Sequence, residues 1–182
     1  IIKTFYSKLL SFTSCPNCEY IGRKHEPIST ITLSLEPEYK TLYDCIKGFT
    51  QEYTLDKENS WKCEKCKDNV CPQKKISFWD VADVLIFTLK TYTKDKKINQ
   101  KISFPENLVM GDYCMNIHKN KLNYRLSGIC IHSGGLNGGH YYAMCKNYKT
   151  NQWNIHNDTS VSPTTIDAVL RESPYCLFYV RK

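Results

Sequence analysis

This 182-residue chain has no long apolar run: the stretch Val84 to Phe87 is far short of the roughly 20 residues that cross a bilayer. Its N-terminus lacks the apolar core and small-residue cleavage site of a signal peptide, so it is expected to work inside the cell, in cytoplasm or nucleus, and away from membranes. Internal repeats are absent, which excludes solenoids and propellers. Acidic residues are the minority, 18 against 25 lysines and arginines, but the excess positive charge sits in clusters such as Lys94, Lys96 and Lys97, or Lys119 and Lys121. Such clusters read as solvated loop tips, because a nucleic-acid surface needs its basic residues on one face. Ten cysteines without a secretory context argue against a disulfide framework. The chain opens on Ile1, and a segment upstream is expected.

With 41% hydrophobic residues there is enough apolar material for a core. Phe5, Ser7, Leu9 and Ser11 alternate as in a strand, and Ile28 to Leu35 is β-branched and alternating. Leu42, Cys45, Ile46 and Phe49 fall at helical spacing. Lys74 to Trp79 and Val84 to Tyr92 read as strands, the second buried. Further strands are expected near Asp112 to His118, Tyr124 to His132, His140 to Asn147, Gln152 to His156 and Tyr175 to Val180. Ser162-Pro163 predicts a helix start running through Arg171. The fold class is α+β, rich in strand.

Cys15, Cys18, Cys63 and Cys66 form two Cys-x-x-Cys turns, the pattern of a closed tetrahedral zinc site with Zn–S near ~2.3 Å. The 44 residues between the pairs point to a clamp joining two β-hairpins, and a shell of four sulfurs leaves no open position for catalysis. One structural Zn2+ is expected.

Catalysis is therefore sought elsewhere. His140 follows Gly138-Gly139 and opens a strand, so no side chains crowd the imidazole and a substrate backbone can approach. The segment from Gly134 to Gly138 makes a tip suited to covering an extended peptide. One strand later come Trp153, Asn157 and Asp158. A histidine base in a thiol enzyme needs an acceptor on its second nitrogen, and either Asn157 or Asp158 can serve. On a straight strand the two face opposite ways, so at most one reaches His140 unless the chain turns there. No cysteine has an activating setting: Cys45 lies on the apolar face of a helix, and Cys114, Cys130, Cys145 and Cys176 lie in strands.

These features together resemble the ubiquitin-specific protease family, papain-like deubiquitinases with finger, palm and thumb subdomains. The resemblance runs through FYSKLLSFTSC, the two Cys-x-x-Cys pairs, VLIFTLKTY, FPENL, YRLSGICIHSGGLNGGHYYAMC, WNIHNDTSV and YCLFYV. It implies one partial catalytic domain, with zinc-ribbon fingers over about 12–80 and a palm over about 81–182. His140 would be the general base and Asn157 the third member of the site, with Asp158 adjacent. The loop from Ser133 through Gly134 and Gly135 to Gly138 would close over the ubiquitin tail, flanked by His132, Gly139, Tyr141 and Trp153. Ubiquitin or ubiquitinated proteins would be the partners. The thumb half, with its nucleophilic cysteine, has no counterpart here and is expected upstream. A ubiquitin-binding scaffold without activity is the alternative. Thr91-Tyr92 stands where the family usually has Arg-Phe, and His156 where it has an aromatic residue.

Overall fold

The computed structural model describes residues 1–115 and 122–182. Along the chain come α1 (Ile2–Phe5), β1 (Ser7–Ser14), β2 (Ile21–Ile28), β3 (Ile31–Leu33), α2 (Leu42–Thr50), β4 (Tyr53–Thr54), β5 (Trp61–Lys62) and β6 (Asn69–Val70). They are followed by β7 (Gln73–Asp80), β8 (Val84–Leu89), β9 (Asn107–Val109), a 3-10 turn at Gly111–Tyr113, β10 (Asn123–Gly135) and β11 (Gly138–Lys146). The chain closes with β12 (Trp153–Asn157), β13 (Ser160–Thr164), α3 (Ile166–Leu170) and β14 (Cys176–Arg181).

The largest sheet has the order β13-β12-β11-β10-β14-β8-β3, with β9 also paired to β10. A second sheet has the order β2-β1-β7-β4, and β5 pairs with β6 alone. The β3–β8 pair is parallel; the other named strand pairs are antiparallel. Among the described residues no helix is long and apolar enough to cross a membrane.

Side-chain alternation explains the large sheet. In β10, Tyr124 and Leu126 face the core, and after an irregularity in the pairing with β14 between Leu126 and Gly128 the inward set becomes Ile129 and Ile131. One inserted residue reverses which face each later side chain takes, as a bulge does. In β8, Leu85, Phe87 and Leu89 point inward while their neighbours are half-buried. Tyr124 and Tyr179 are fully buried, and each hydroxyl donates to a backbone carbonyl at 2.7 Å, Ala82 for the first and Pro105 for the second. Paired in this way, the two rings add apolar area without leaving an unsatisfied polar atom.

Helix α2 forms where expected and buries Leu42, Cys45 and Ile46, with Phe49 against the same core. Thr41 caps it: its hydroxyl accepts from the Asp44 N–H at 3.1 Å, and the Asp44 carboxylate accepts from the Thr41 N–H at 2.8 Å. This reciprocal box contributes about 1 kcal/mol. Together with β3, α2 joins the large sheet's core although both lie within the first 80 residues.

Three expectations differ from what is found. Ser162 and Pro163 lie in β13, paired with Ile155 and Asn154, and α3 begins three residues later with Thr165 as its cap. Proline is tolerated there because β13 is the edge strand of its sheet. The strand expected from Asp112 begins instead as the 3-10 turn, and its remainder over 116–121 lies outside the described residues. The strand expected over Ile28 to Leu35 is broken, with Ile28 ending β2 and only Ile31–Leu33 forming β3, and β2 itself is an edge strand without apolar alternation.

Candidate active site and metal centre

The glycine segment is a paired hairpin. Strand β10 runs to Gly135 and β11 begins at Gly138, leaving Leu136 and Asn137 as the tip. Gly134 has φ of 137°, a conformation that disfavours side chains, and a Cβ there would meet the Gly138 carbonyl and the Gly139 Cα at 2.5 Å. A Cβ on Gly139 would fall on the His132 ring, whereas Gly135 and Gly138 have open space around them. Two of the four glycines are thus required by their surroundings.

Within this hairpin Ser133 pairs with His140, and His132 pairs with Tyr141. Neighbouring pairs project from opposite faces of a sheet, so His140 and His132 belong to different faces. His132 packs against Tyr141 with ring centroids 4.5 Å apart, and its Nδ1 is bonded to the Tyr92 hydroxyl. These residues line a cavity of about 390 Å³ together with Gly135, Leu136, Gly138 and Gly139. Tyr141 is half exposed, while Trp153 is a core residue with 4% exposure.

On the other face stands the histidine constellation. His140 Nε2 lies 2.5 Å from Asn157 Oδ1 and 3.8 Å from Asp158 Oδ2. Both partners reach the ring because the chain turns after Asn157: Asp158 has φ of 51°, and Asn157 pairs with Ser160 across a two-residue connection. Asn157 is thus in direct contact with the ring and Asp158 lies behind it. An amide oxygen only accepts, so Nε2 carries the proton and donates. The lone pair is then on Nδ1, for which the described residues supply no partner. A histidine in this tautomer, oriented by an amide, is ready to take a proton at Nδ1.

None of the ten cysteines bonds to His140. Burial pushes the Cys45 thiol up to about 11 and raises Cys130 and Cys145, so these three are poor nucleophiles. Cys176 contacts the Thr88 hydroxyl at 3.5 Å.

Four other thiols converge. The Sγ atoms of Cys15, Cys18, Cys63 and Cys66 all lie within 4.8 Å of one another, with Cys15 to Cys66 at 3.8 Å and Cys18 to Cys63 at 3.6 Å. A tetrahedron with arms of ~2.3 Å has edges of about 3.8 Å, so the cluster fits a zinc ion. Burial pushes the Cys63 thiol up, but donation from the Cys66 and Lys65 backbone and from the Cys66 and Cys15 thiols brings it down to about 7. For Cys66, the Asp68 backbone N–H lowers the value, yet burial and the three neighbouring thiols carry it to about 12. Val70, Tyr20 and Trp61 pack around the cluster, which forms a small core apart from the main one.

Residues 1–179 match the family ubiquitin carboxyl-terminal hydrolase, and the chain belongs to that family. A probable ubiquitin carboxyl-terminal hydrolase of Acanthamoeba polyphaga mimivirus is 30% identical over 193 aligned residues, covering 100% of this chain and 41% of the relative. Ubiquitin carboxyl-terminal hydrolase 15 of Homo sapiens is 34% identical over 146 residues, 78% of this chain and 15% of that protein. The fold is that of Ubp8 in the SAGA DUB module with Sgf11, Sus1 and Sgf73. Its complex with monoubiquitin matches with a TM-score of 0.84 at 30% identity, covering 99% of this chain and 41% of the solved one. A yeast SAGA DUBm structure matches with a TM-score of 0.87 over the same shares. The chain thus spans well under half the length of these relatives.

The sequence pointed to His140, Asn157, Asp158 and the four cysteines, and the structure brings them together in two clusters. It did not point to Tyr92 as a partner of His132, because 40 residues separate them and no local pattern links them.

Proposed function

We propose that this chain supplies the general base, its orienting amide and the fingers of a deubiquitinase that removes ubiquitin from conjugates or precursors through a thiol. The observation that carries the reading is the bond from His140 Nε2 to Asn157 Oδ1, which leaves Nδ1 as the basic nitrogen. In this reading a cysteine thiol gives its proton to Nδ1, and the thiolate attacks the carbonyl carbon of ubiquitin's terminal glycine. The imidazolium then protonates the leaving amine. Water, deprotonated by the same nitrogen, attacks the acyl-enzyme and frees ubiquitin and the thiol. Asp158 lies 3.8 Å from Nε2, on the side away from the basic Nδ1.

The nucleophile in this scheme comes from outside these 182 residues, from a thumb half preceding them; the thiols of Cys45, Cys130 and Cys145, pushed up by burial, and the absence of any cysteine bonded to His140 support this. Residues at about 12–80 act as fingers that hold the body of ubiquitin, with one structural zinc on Cys15, Cys18, Cys63 and Cys66. Residues at about 81–182 form the palm. The loop from Ser133 to Gly138 covers the extended tail, with Tyr92, His132 and Tyr141 flanking the hairpin around the cavity on its other face. That a relative's DUB module was solved with monoubiquitin, and another with ubiquitin aldehyde, supports ubiquitin as the ligand. Ten cysteines, four of them converging on one site, fit a reducing compartment, cytoplasm or nucleus.

The same lack of a thiol at His140 also favours a second reading, a scaffold that holds ubiquitin without cleaving it. Turnover separates the two. The full chain should hydrolyse a ubiquitin C-terminal amide, and His140→Ala should abolish turnover while leaving monoubiquitin binding within about twofold. Near-normal turnover in that variant would sink the assignment of the base, and a wild type that binds but never turns over would establish the scaffold.

A further inference from the structure

Strand β10 outlasts its neighbour. Its pairing with β14 stops at Cys130 opposite Cys176, and the last bond on that edge runs from the Tyr175 N–H to the Cys130 carbonyl at 2.7 Å. Carbonyls on one edge of a strand recur every second residue, so His132 and Gly134 offer the next two acceptors where β14 has ended. Lys97 takes both. Its Nζ donates to the His132 carbonyl at 3.1 Å and to the Gly134 carbonyl at 2.8 Å. These two carbonyls bracket Ser133, the residue paired across the hairpin with His140.

Lys97 is itself braced. It bridges antiparallel to Tyr92, closing a turn in which the Thr93 N–H donates to the Lys96 carbonyl at 2.9 Å and the Ile98 N–H to the Thr91 carbonyl at 2.7 Å. The ammonium lies 5.8 Å from the centre of the Tyr92 ring, whose hydroxyl is bonded to His132. The turn therefore grips the hairpin twice, at the imidazole of His132 and at the backbone on either side of Ser133.

We infer that Lys97 is a positioning residue for the base: it continues with one side chain the row of hydrogen bonds that β14 abandons, and so fixes the projecting end of the hairpin and, through the Ser133–His140 pair, the imidazole. An ammonium suits the task because it carries three donors and a charge, and two carbonyls on one edge need two donors from one point. The inference rests on His140 being the base.

The test compares wild type, Lys97→Met and Lys97→Arg in the full chain, by amide hydrogen exchange and by hydrolysis of a ubiquitin C-terminal amide. Lys97→Met should speed exchange across Ser133 to His140 by roughly tenfold and leave core amides of β10, such as Leu126 and Ile129, within about twofold. It should lower kcat roughly tenfold with KM changed less than about threefold, and Lys97→Arg, which keeps the charge and several donors, should recover most of both losses. Unchanged exchange in Lys97→Met overturns the inference, as does faster exchange of the core amides, which would mark a general loss of stability. Faster hairpin exchange with unchanged kcat overturns it too, since the hairpin would then be braced without consequence for the base. A wild type without turnover would count against the proposed function alone, and exchange would still decide whether Lys97 holds the hairpin.

Discussion

Replacing Cys63 with Ser should release the metal and melt only the part of the molecule that depends on it. The Cys63 side chain is fully buried, and its Sγ stands 3.6 Å from Cys18, at the distance expected for sulfurs sharing one zinc. Losing even an outer partner of a metal site costs roughly 10- to 100-fold in affinity, so losing a direct ligand costs at least about 100-fold, or about 2.8 kcal/mol. Strands β5 and β6 have two residues each and pair only with one another among the described strands. A two-stranded hairpin that short does not hold its shape alone. Besides the metal, the segment is held by the stacking of Tyr20 on Trp61 at 6.0 Å, the Tyr20–Glu64 hydrogen bond, the packing of Val70 and a few backbone bonds such as Leu55 N–H to the Pro72 carbonyl at 3.0 Å. Zinc content by mass spectrometry of the dialysed protein, with amide exchange across 55–72, reads both consequences. Wild type should hold one zinc; Cys63→Ser should hold none at micromolar chelator and exchange freely over that segment, while β10 and β14 keep their protection. A variant that retains one zinc and wild-type protection would refute the ligand set. The pH dependence follows in sign. Binding needs thiolates, and without metal Cys66 is protonated up to about 12 and Cys63 up to about 7. Affinity should therefore fall as pH falls, and more steeply below about 7, where Cys63 adds one more proton to those already to be displaced from Cys18 and Cys66.

Other variants probe the histidine face and the core. Asn157→Ala removes the acceptor at 2.5 Å and should lower kcat/KM roughly a hundredfold, whereas Asp158→Asn, 3.8 Å away, should cost less than about tenfold in steady-state hydrolysis. Gly139→Ala should displace the His132 ring and lower Tm and turnover together, while Gly138→Ala, with nothing within 4 Å of its new methyl, should leave Tm within about 1 °C. The Cys45 thiol, pushed up to about 11 by burial, should stay unalkylated by iodoacetamide at pH 8 in the folded protein and react only after denaturation.

Much of the large sheet is written in local pattern. The inward residues of β8, β10 and β14 alternate, and the apolar face of α2 repeats at helical spacing, because each element has one face on the core. Strand β2 escaped that reading: Gly22, Arg23, Lys24, His25, Glu26 and Pro27 have no buried face to announce, and the strand owes its existence to its pairing with β1. The start of α3 misled for a related reason. Ser162-Pro163 is a good helix opening in isolation, but the β12–β13 hairpin takes those residues first. The metal ligands were legible because their spacing is local within each pair. The base and its amide were legible as residue types, but their contact was not, since it depends on the left-handed turn at Asp158. Tyr92 and Lys97 gave no signal: their partners lie 40 and 35 residues away, and only the folded sheet places an unpaired strand edge beside them.

In the proposed reaction His140, oriented by Asn157, serves a thiol that is none of the ten cysteines of these 182 residues. This assignment is tested most directly with a ubiquitin bearing a C-terminal electrophile, reacted with the protein as it is made in cells and followed by mapping of the modified residue. One adduct is expected on a cysteine outside the 182 residues, with a labelling rate that falls at least about a hundredfold in His140→Ala. An adduct on any of the ten cysteines, or labelling that is indifferent to His140, would contradict it.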